Sequence, residues 1–241
     1  MTESILIVLH QEHSTPGRLG QALRDRGYRL DIRRPPLGDP LPETLAGHAG
    51  AVIFGGPMSA NDEHDYVKRE IAWTAVPLKE GKPFLGICLG GQMLARQLGA
   101  RVAFHPEGKA EVGYYPIRAT PSAEAFCGPW PEYVYQWHRE GFDLPQGCEL
   151  LAEGDTFAVQ AFRTGNAFAI QFHAEVTHAM MCRWTIRGHE RMSLPNAKPR
   201  AAHFADRPVY DYAIRNWLSG FVDSWLACGS PRRLAAAGRV Q

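Results

Sequence analysis

Short apolar runs alternate with amphipathic stretches through the first hundred residues, and that alternation sets the expected architecture. Ile5 to Leu9 is an unbroken apolar run of buried-strand length. A helix-compatible stretch from Pro16 to Arg26 follows, closed by Gly27. Tyr28 to Ile32 reads as a second strand, and the prolines between 35 and 42 mark a loop. Ala51 to Phe54 is a third strand. Asp65 to Glu80 then places Val67, Ile71 and Val76 on the inner side of a helix. Pro83 to Ile87, a helical stretch over 91–98 and Arg101 to Phe104 continue the alternation.

From Glu111 to Phe172 the pattern changes to short strands with turns between them. Tyr212 to Leu226 carries Ile214, Trp217, Leu218, Phe221, Val222, Trp225 and Leu226 at helical spacing. Such a stripe reads first as core contact and second as a partner surface. No internal repeat or low-complexity linker interrupts the chain. These patterns predict an α/β fold, flavodoxin-like, with a mainly parallel sheet, helices on both faces and a small antiparallel extension. Residues 1–226 are expected to form one domain. Gly229-Ser230-Pro231 is expected to end the ordered chain, leaving a frayed tail within 227–241.

Charge and cysteine content narrow the function classes. Lys and Arg number 26 against 25 acidic residues, a formal charge of +1, which gives no footprint for nucleic acid. The first four residues are not basic, Ile5 to Leu9 is too short for a signal peptide, and no apolar run reaches membrane-helix length. Five cysteines, with no Cys-x-x-Cys pair, argue for reduced thiols in the cytoplasm and against a disulfide framework or a zinc ribbon. His10 and His13 stand three apart at a strand-to-loop junction without further ligands, so no metal site is expected there. Lys68-Arg69 reads as ordinary helix surface.

Gly86-Ile87-Cys88-Leu89-Gly90 is the segment richest in chemistry. Gly-x-Cys-x-Gly between a strand and a helix fits a nucleophile elbow: the glycines allow a sharp turn, and the helix start behind it favours the thiolate that attacks. A buried cysteine beside a tight turn is the plainer alternative. A cysteine nucleophile needs a base and a group that holds the base. His173 and Glu175 supply both, two apart on an extended stretch and therefore on one face. Upstream, the strand ending at Phe54 runs into Gly55-Gly56-Pro57. A backbone N–H there, and the one following Cys88, suit an oxyanion hole. Taken singly, Gly-Gly-Pro is an ordinary turn and His-x-Glu an ordinary surface pair.

With these motifs in hand, the chain resembles the class I (triad-type) glutamine amidotransferases, and most the stand-alone proteins similar to the glutaminase domain of GMP synthase. The matching stretches are Gly55 to Ser59, Leu85 to Gln92 and Ala169 to Glu175. The resemblance implies Cys88 as nucleophile, His173 as base and acid, and Glu175 as the orienting carboxylate. It also implies oxyanion donors on the backbone of Gly56 and Leu89, and substrate-binding places for Gln92, Gly55, His138 and Arg139. Ala174 replaces a proline common in the family, and Arg139 stands where many relatives have a small residue, so the substrate's amino-acid end is expected to be held differently. Neither a cofactor nor a metal is implied.

Three functions remain open at this stage. The first is glutamine side-chain hydrolysis through a Cys88 thioester, with ammonia passed to a separate synthetase or acceptor protein. The second is a γ-glutamyl hydrolase using the same acyl-enzyme route. The third is a binding module without turnover, against which the intact Cys, His and Glu set argues.

Overall fold

The apolar runs form strands because each can bury both of its faces. In the computed structural model, which describes residues 3–229, Ile5, Ile7 and Leu9 point into one hydrophobic cluster while Leu6 and Val8 point into another. Val52 opposes Ala51 and Ile53 in the same way, and Phe168 and Ile170 oppose Ala167 and Ala169. This period of two on a strand buried from both sides explains runs that are continuously apolar rather than alternating. Each fully buried Ile, Leu or Phe contributes roughly 1.5–3 kcal/mol of transfer free energy.

The elements in chain order are β1 (Ser4–Val8), α1 (Gly17–Asp25), β2 (Arg29–Arg33), β3 (His48–Ile53), α2 (Asp65–Trp73), α3 (Ala75–Glu80), β4 (Phe84–Ile87) and α4 (Leu89–Gln97). They continue with β5 (Val102–Phe104), β6 (Glu111–Ala119), α5 (Pro121–Cys127), β7 (Tyr133–His138), β8 (Glu140–Phe142), β9 (Glu149–Gly154) and β10 (Val159–Thr164). The last are β11 (Ala167–Ile170), α6 (His178–Arg187), a short 3-10 helix (His189–Ser193) and α7 (Arg200–Cys228). Nine strands make one sheet in the order β2-β1-β3-β4-β11-β10-β9-β6-β7. Strands β2, β1, β3, β4 and β11 pair in parallel, as the alternation predicts. Strands β10, β9, β6 and β7 continue the same sheet antiparallel, and β5 with β8 forms a small separate pair. Helices α1, α5 and α7 cover one face and α2 and α4 the other.

Three elements differ from the sequence expectation. The helix expected over 65–80 is two helices, because Pro77 has no N–H for the Trp73 carbonyl and the chain breaks at Thr74. The segment expected to hold only short strands also contains α5, started by Pro121 and capped by Thr120, whose side chain accepts from the Ala123 N–H. Helix α7 begins at Arg200, twelve residues before the expected start, and runs through Pro208. Burial of His203 against the Tyr135 hydroxyl, 2.9 Å away, anchors that first stretch. The tail expected to fray, 232–241, lies outside the described residues.

Candidate active site

Cys88 joins β4 to α4 with φ 51° and ψ −106°, a conformation that L residues avoid. Strain of this kind costs on the order of 1–3 kcal/mol and persists only where neighbours enforce it. Here the Cys88 N–H donates to the Ile170 carbonyl at 2.8 Å, and the Cys88 carbonyl accepts from the Gln92 N–H at 2.9 Å. Gly90 completes the constraint, since a Cβ there would collide with the Ile53 carbonyl of β3. The turn sets the thiol at the start of α4, where unpaired N–H groups favour negative charge.

His173 and Glu175 lie just past the end of β11, 4% and 2% exposed, with Cys88 at 6%. His173 Nδ1 is 2.7 Å from Glu175 Oε1, which leaves Nε2 to face Cys88. Burial works against the charged imidazole. Attraction to Glu175 and Cys88, with hydrogen bonds to both, outweighs it and raises the His173 pKa to about 10. Imidazolium therefore persists at neutral pH between two acceptors.

The Gly55-Gly56 turn closes the site from β3. A Cβ on Gly55 would lie 2.7 Å from His173 Cε1 and 3.5 Å from Cys88 Cβ, so only bare backbone fits there. His10 holds this turn: its Nδ1 donates to the Gly55 carbonyl at 3.1 Å, and its Nε2 lies 2.8 Å from Glu70 Oε2, both side chains fully buried. The Gly56 and Leu89 N–H groups have no acceptor among the described residues.

Cavity space opens on both sides of Cys88. The side shared with His173 has a volume of about 210 Å³, with Leu9, Thr15, Met180, Trp184 and Arg187 in its wall. The other side, about 20 Å³, is bounded by Met58, Leu89, Gln92, His138, Arg139 and Glu140. Gln92 is anchored there, donating to the Glu140 carbonyl at 2.8 Å and to Gln171 Oε1 at 3.2 Å. His138 has both ring nitrogens engaged, Nδ1 with the Glu140 carbonyl and Nε2 with Glu111, so its place is in the wall rather than at a ligand. Arg139 sits at the rim, its guanidinium 5.2 Å from the Phe104 ring centre. Cys88, His173, Glu175, Gly55, Gly56, Leu89, Gln92, His138 and Arg139 thus gather around one cleft.

The family model for glutamine amidotransferase class-I matches residues 9–183. The chain belongs to the class-I glutamine amidotransferases. It is 30% identical over 184 residues to a glutamine amidotransferase-like protein, YfeJ, of Salmonella typhimurium, covering 70% of this chain and 74% of that one. It is 31% identical over 188 residues to the glutamine-hydrolyzing GMP synthase of Caldicellulosiruptor saccharolyticus, covering 74% of this chain but 34% of the synthase. The chain therefore spans about a third of that synthase's length. Among solved structures, a glutamine amidotransferase from Thermotoga maritima superposes with a TM-score of 0.84 at 27% identity, over 94% of this chain and 99% of the other.

Several residues of this amidotransferase's cleft carried no signal in the sequence. His10 looked like half of an isolated histidine pair, and its partner Glu70 lies sixty residues away on α2. Helix α6 and the 3-10 helix after it, in the stretch least informative by pattern, supply Arg183, Trp184, Arg187, Glu190 and Arg191 to the larger compartment. Trp184 packs edge-on against the His173 ring, centroids 4.9 Å apart. Among the described residues no helix is long and apolar enough to cross a membrane.

Proposed function

We propose that this chain hydrolyses the side-chain amide of glutamine through a γ-glutamyl thioester on Cys88. The observation that carries the reading is the elbow: a cysteine in a backbone conformation that L residues avoid, beside a buried imidazole oriented by a carboxylate. Cys88 Sγ adds to the amide carbonyl, and the oxyanion accepts from the Gly56 and Leu89 N–H groups. Each such donor is commonly worth roughly 3–4 kcal/mol in the transition state. The C–N bond breaks as His173 gives its Nε2 proton to the departing ammonia. Neutral His173 then takes a proton from water attacking the thioester, and glutamate leaves as the Cys88 thiolate returns.

Gln92, with Arg139 at the rim, borders the narrow side and would meet the glutamyl chain. The matched part is a third of a GMP synthase, so ammonia is taken to pass to a separate synthetase or acceptor protein in the cytoplasm. The roomy compartment beside His173 favours a second reading, hydrolysis of larger γ-glutamyl amides by the same steps. A glutamine-mimicking diazoketone tests the shared chemistry. One adduct on Cys88 is expected; no adduct, while a plain alkylating agent still modifies Cys88, would sink it.

A further inference from the structure

The compartment beside His173 is larger than the reaction of glutamine requires. Ammonia is about the size of water, which needs roughly 10–15 Å³ of cavity volume, against about 210 Å³ here. The general acid decides which side the departing amine takes. His173 lines the large compartment and not the narrow one, so the amine half of a substrate faces the large one.

Its wall is cationic. Arg183 and Arg187 are four apart on α6 and share a face, and Arg191, four further on, extends the row along the 3-10 helix. None of these guanidinium groups has a hydrogen-bond or ion-pair partner among the described residues. Elsewhere such groups find carboxylates: Arg18 meets Asp211 at 2.8 Å and Arg163 meets Glu149 at 2.5 Å. The acids in the compartment form no ion pair with the row among the described residues: Glu175 is held by His173, and Glu190 acts on Arg191 only through its charge. Arg191 also borders the narrow side; burial, with Arg139 nearby, holds it below the usual guanidinium range, while Cys88, Glu190 and Glu140 oppose. Leu9, Phe54, Met180 and Trp184 give the same space an apolar side.

We propose that this compartment is a subsite for an anionic amine half, so that the preferred substrate is the γ-glutamyl amide of an amino acid whose carboxylate is gripped by Arg183 and Arg187. A guanidinium fork matches a carboxylate in shape and hydrogen-bond direction, which lysine would not. The inference rests on the thioester chemistry at Cys88. The Cys88 S–C bond forms first, the γ-amide C–N bond then breaks as the amino acid departs with the proton from His173, and water releases glutamate.

An isosteric pair tests it: γ-glutamylglycine and γ-glutamylglycinamide, which differ in the charge of the amine half. The intact enzyme is expected to favour the acid by about tenfold or more in kcat/KM. Arg187→Gln, at an exposed position, should shrink that ratio, and the Arg183→Gln/Arg187→Gln double variant should bring it near one. Equal kcat/KM for the two peptides in the intact enzyme, with Cys88 still labelled by the diazoketone, would overturn the subsite and leave the thioester chemistry standing. A ratio that survives the double substitution would do the same. No glutamate from either peptide or from glutamine, with no adduct, would overturn both.

Discussion

His10 Nδ1 donates to the Gly55 carbonyl at 3.1 Å, and through that one bond it sets the direction of the Gly56 N–H. Carbonyl and N–H of one trans peptide point opposite ways. Holding the Gly55 oxygen toward His10 therefore turns the Gly56 donor away from it, toward the cleft. Glu70, 2.8 Å from the other ring nitrogen, keeps the imidazole in place.

His10 is accordingly expected to act on kcat rather than on KM. Loss of an oxyanion donor costs about 10²–10³-fold in kcat, and His10→Ala, which misaligns the donor without removing it, should fall at or below the lower end. His10→Asn, whose amide N–H can occupy the place of Nδ1, should recover much of the loss. Steady-state glutamine hydrolysis checks this; a KM effect with unchanged kcat, or no rescue by Asn, would leave His10 as packing alone.

Glu175→Gln should lower turnover by more than about tenfold, because the imidazolium formed during catalysis loses its anion. The same pair has a stability signature. His173 in the folded protein is raised to about 10, above the ordinary histidine value of about 6.5. The folded state therefore binds more protons in between. Its contribution is fully present below the ordinary value and is lost as pH rises through about 10. Unfolding midpoints across that window should fall less steeply for Glu175→Gln than for the parent. Parallel curves would mean that Glu175 does not hold the charge.

The strain at Cys88 predicts an inversion of the usual glycine penalty. Glycine normally costs up to about 1 kcal/mol relative to alanine, but at φ 51° and ψ −106° alanine keeps the steric conflict and glycine does not. Cys88→Gly should therefore unfold at higher denaturant than Cys88→Ala, by about 1 kcal/mol, both without activity. Denaturant titration of the two variants decides it.

Gly90→Ala should destabilise by about 1–3 kcal/mol or more, since the added methyl meets the fixed Ile53 carbonyl of β3 rather than a side chain able to move. Thermal unfolding is the check. A midpoint within error of the parent would mean that the elbow can shift away from β3.

Local signals were the legible ones. Strands β1, β3, β4 and β11 are short apolar runs, and the elbow is written in consecutive residues. Features built by distant contact were not. The link from His10 to Glu70 joins β1's end to α2, and nothing local distinguishes that histidine from a surface one. Arg183 and Arg187 at helical spacing look the same in sequence whether they face solvent or a cleft. Pro208 suggests a helix break, yet burial along α7 outweighs one missing hydrogen bond. The α2–α3 break at Thr74 follows a local rule, the proline three residues on, and was open to reading from sequence.

Strands β3, β4 and β11 are immediate neighbours, although the sequence places β4 and β11 far apart. Parallel pairing sets Ile53 opposite Gly86 and Ile170 opposite Ile87, so the turn of Gly56, the thiol of Cys88 and the ring of His173 emerge from one edge at a spacing of about 4.8 Å per strand. Backbone bonds, not side-chain packing, set their separation. The excursion from α4 to β10 contributes the narrow wall at His138, Arg139 and Glu140, while α6 and the following 3-10 helix contribute the cationic one. The two walls thus come largely from separate stretches of chain, with Trp137 and Arg191 shared between them, and either can diverge without moving the strand ends that carry Cys88 and His173.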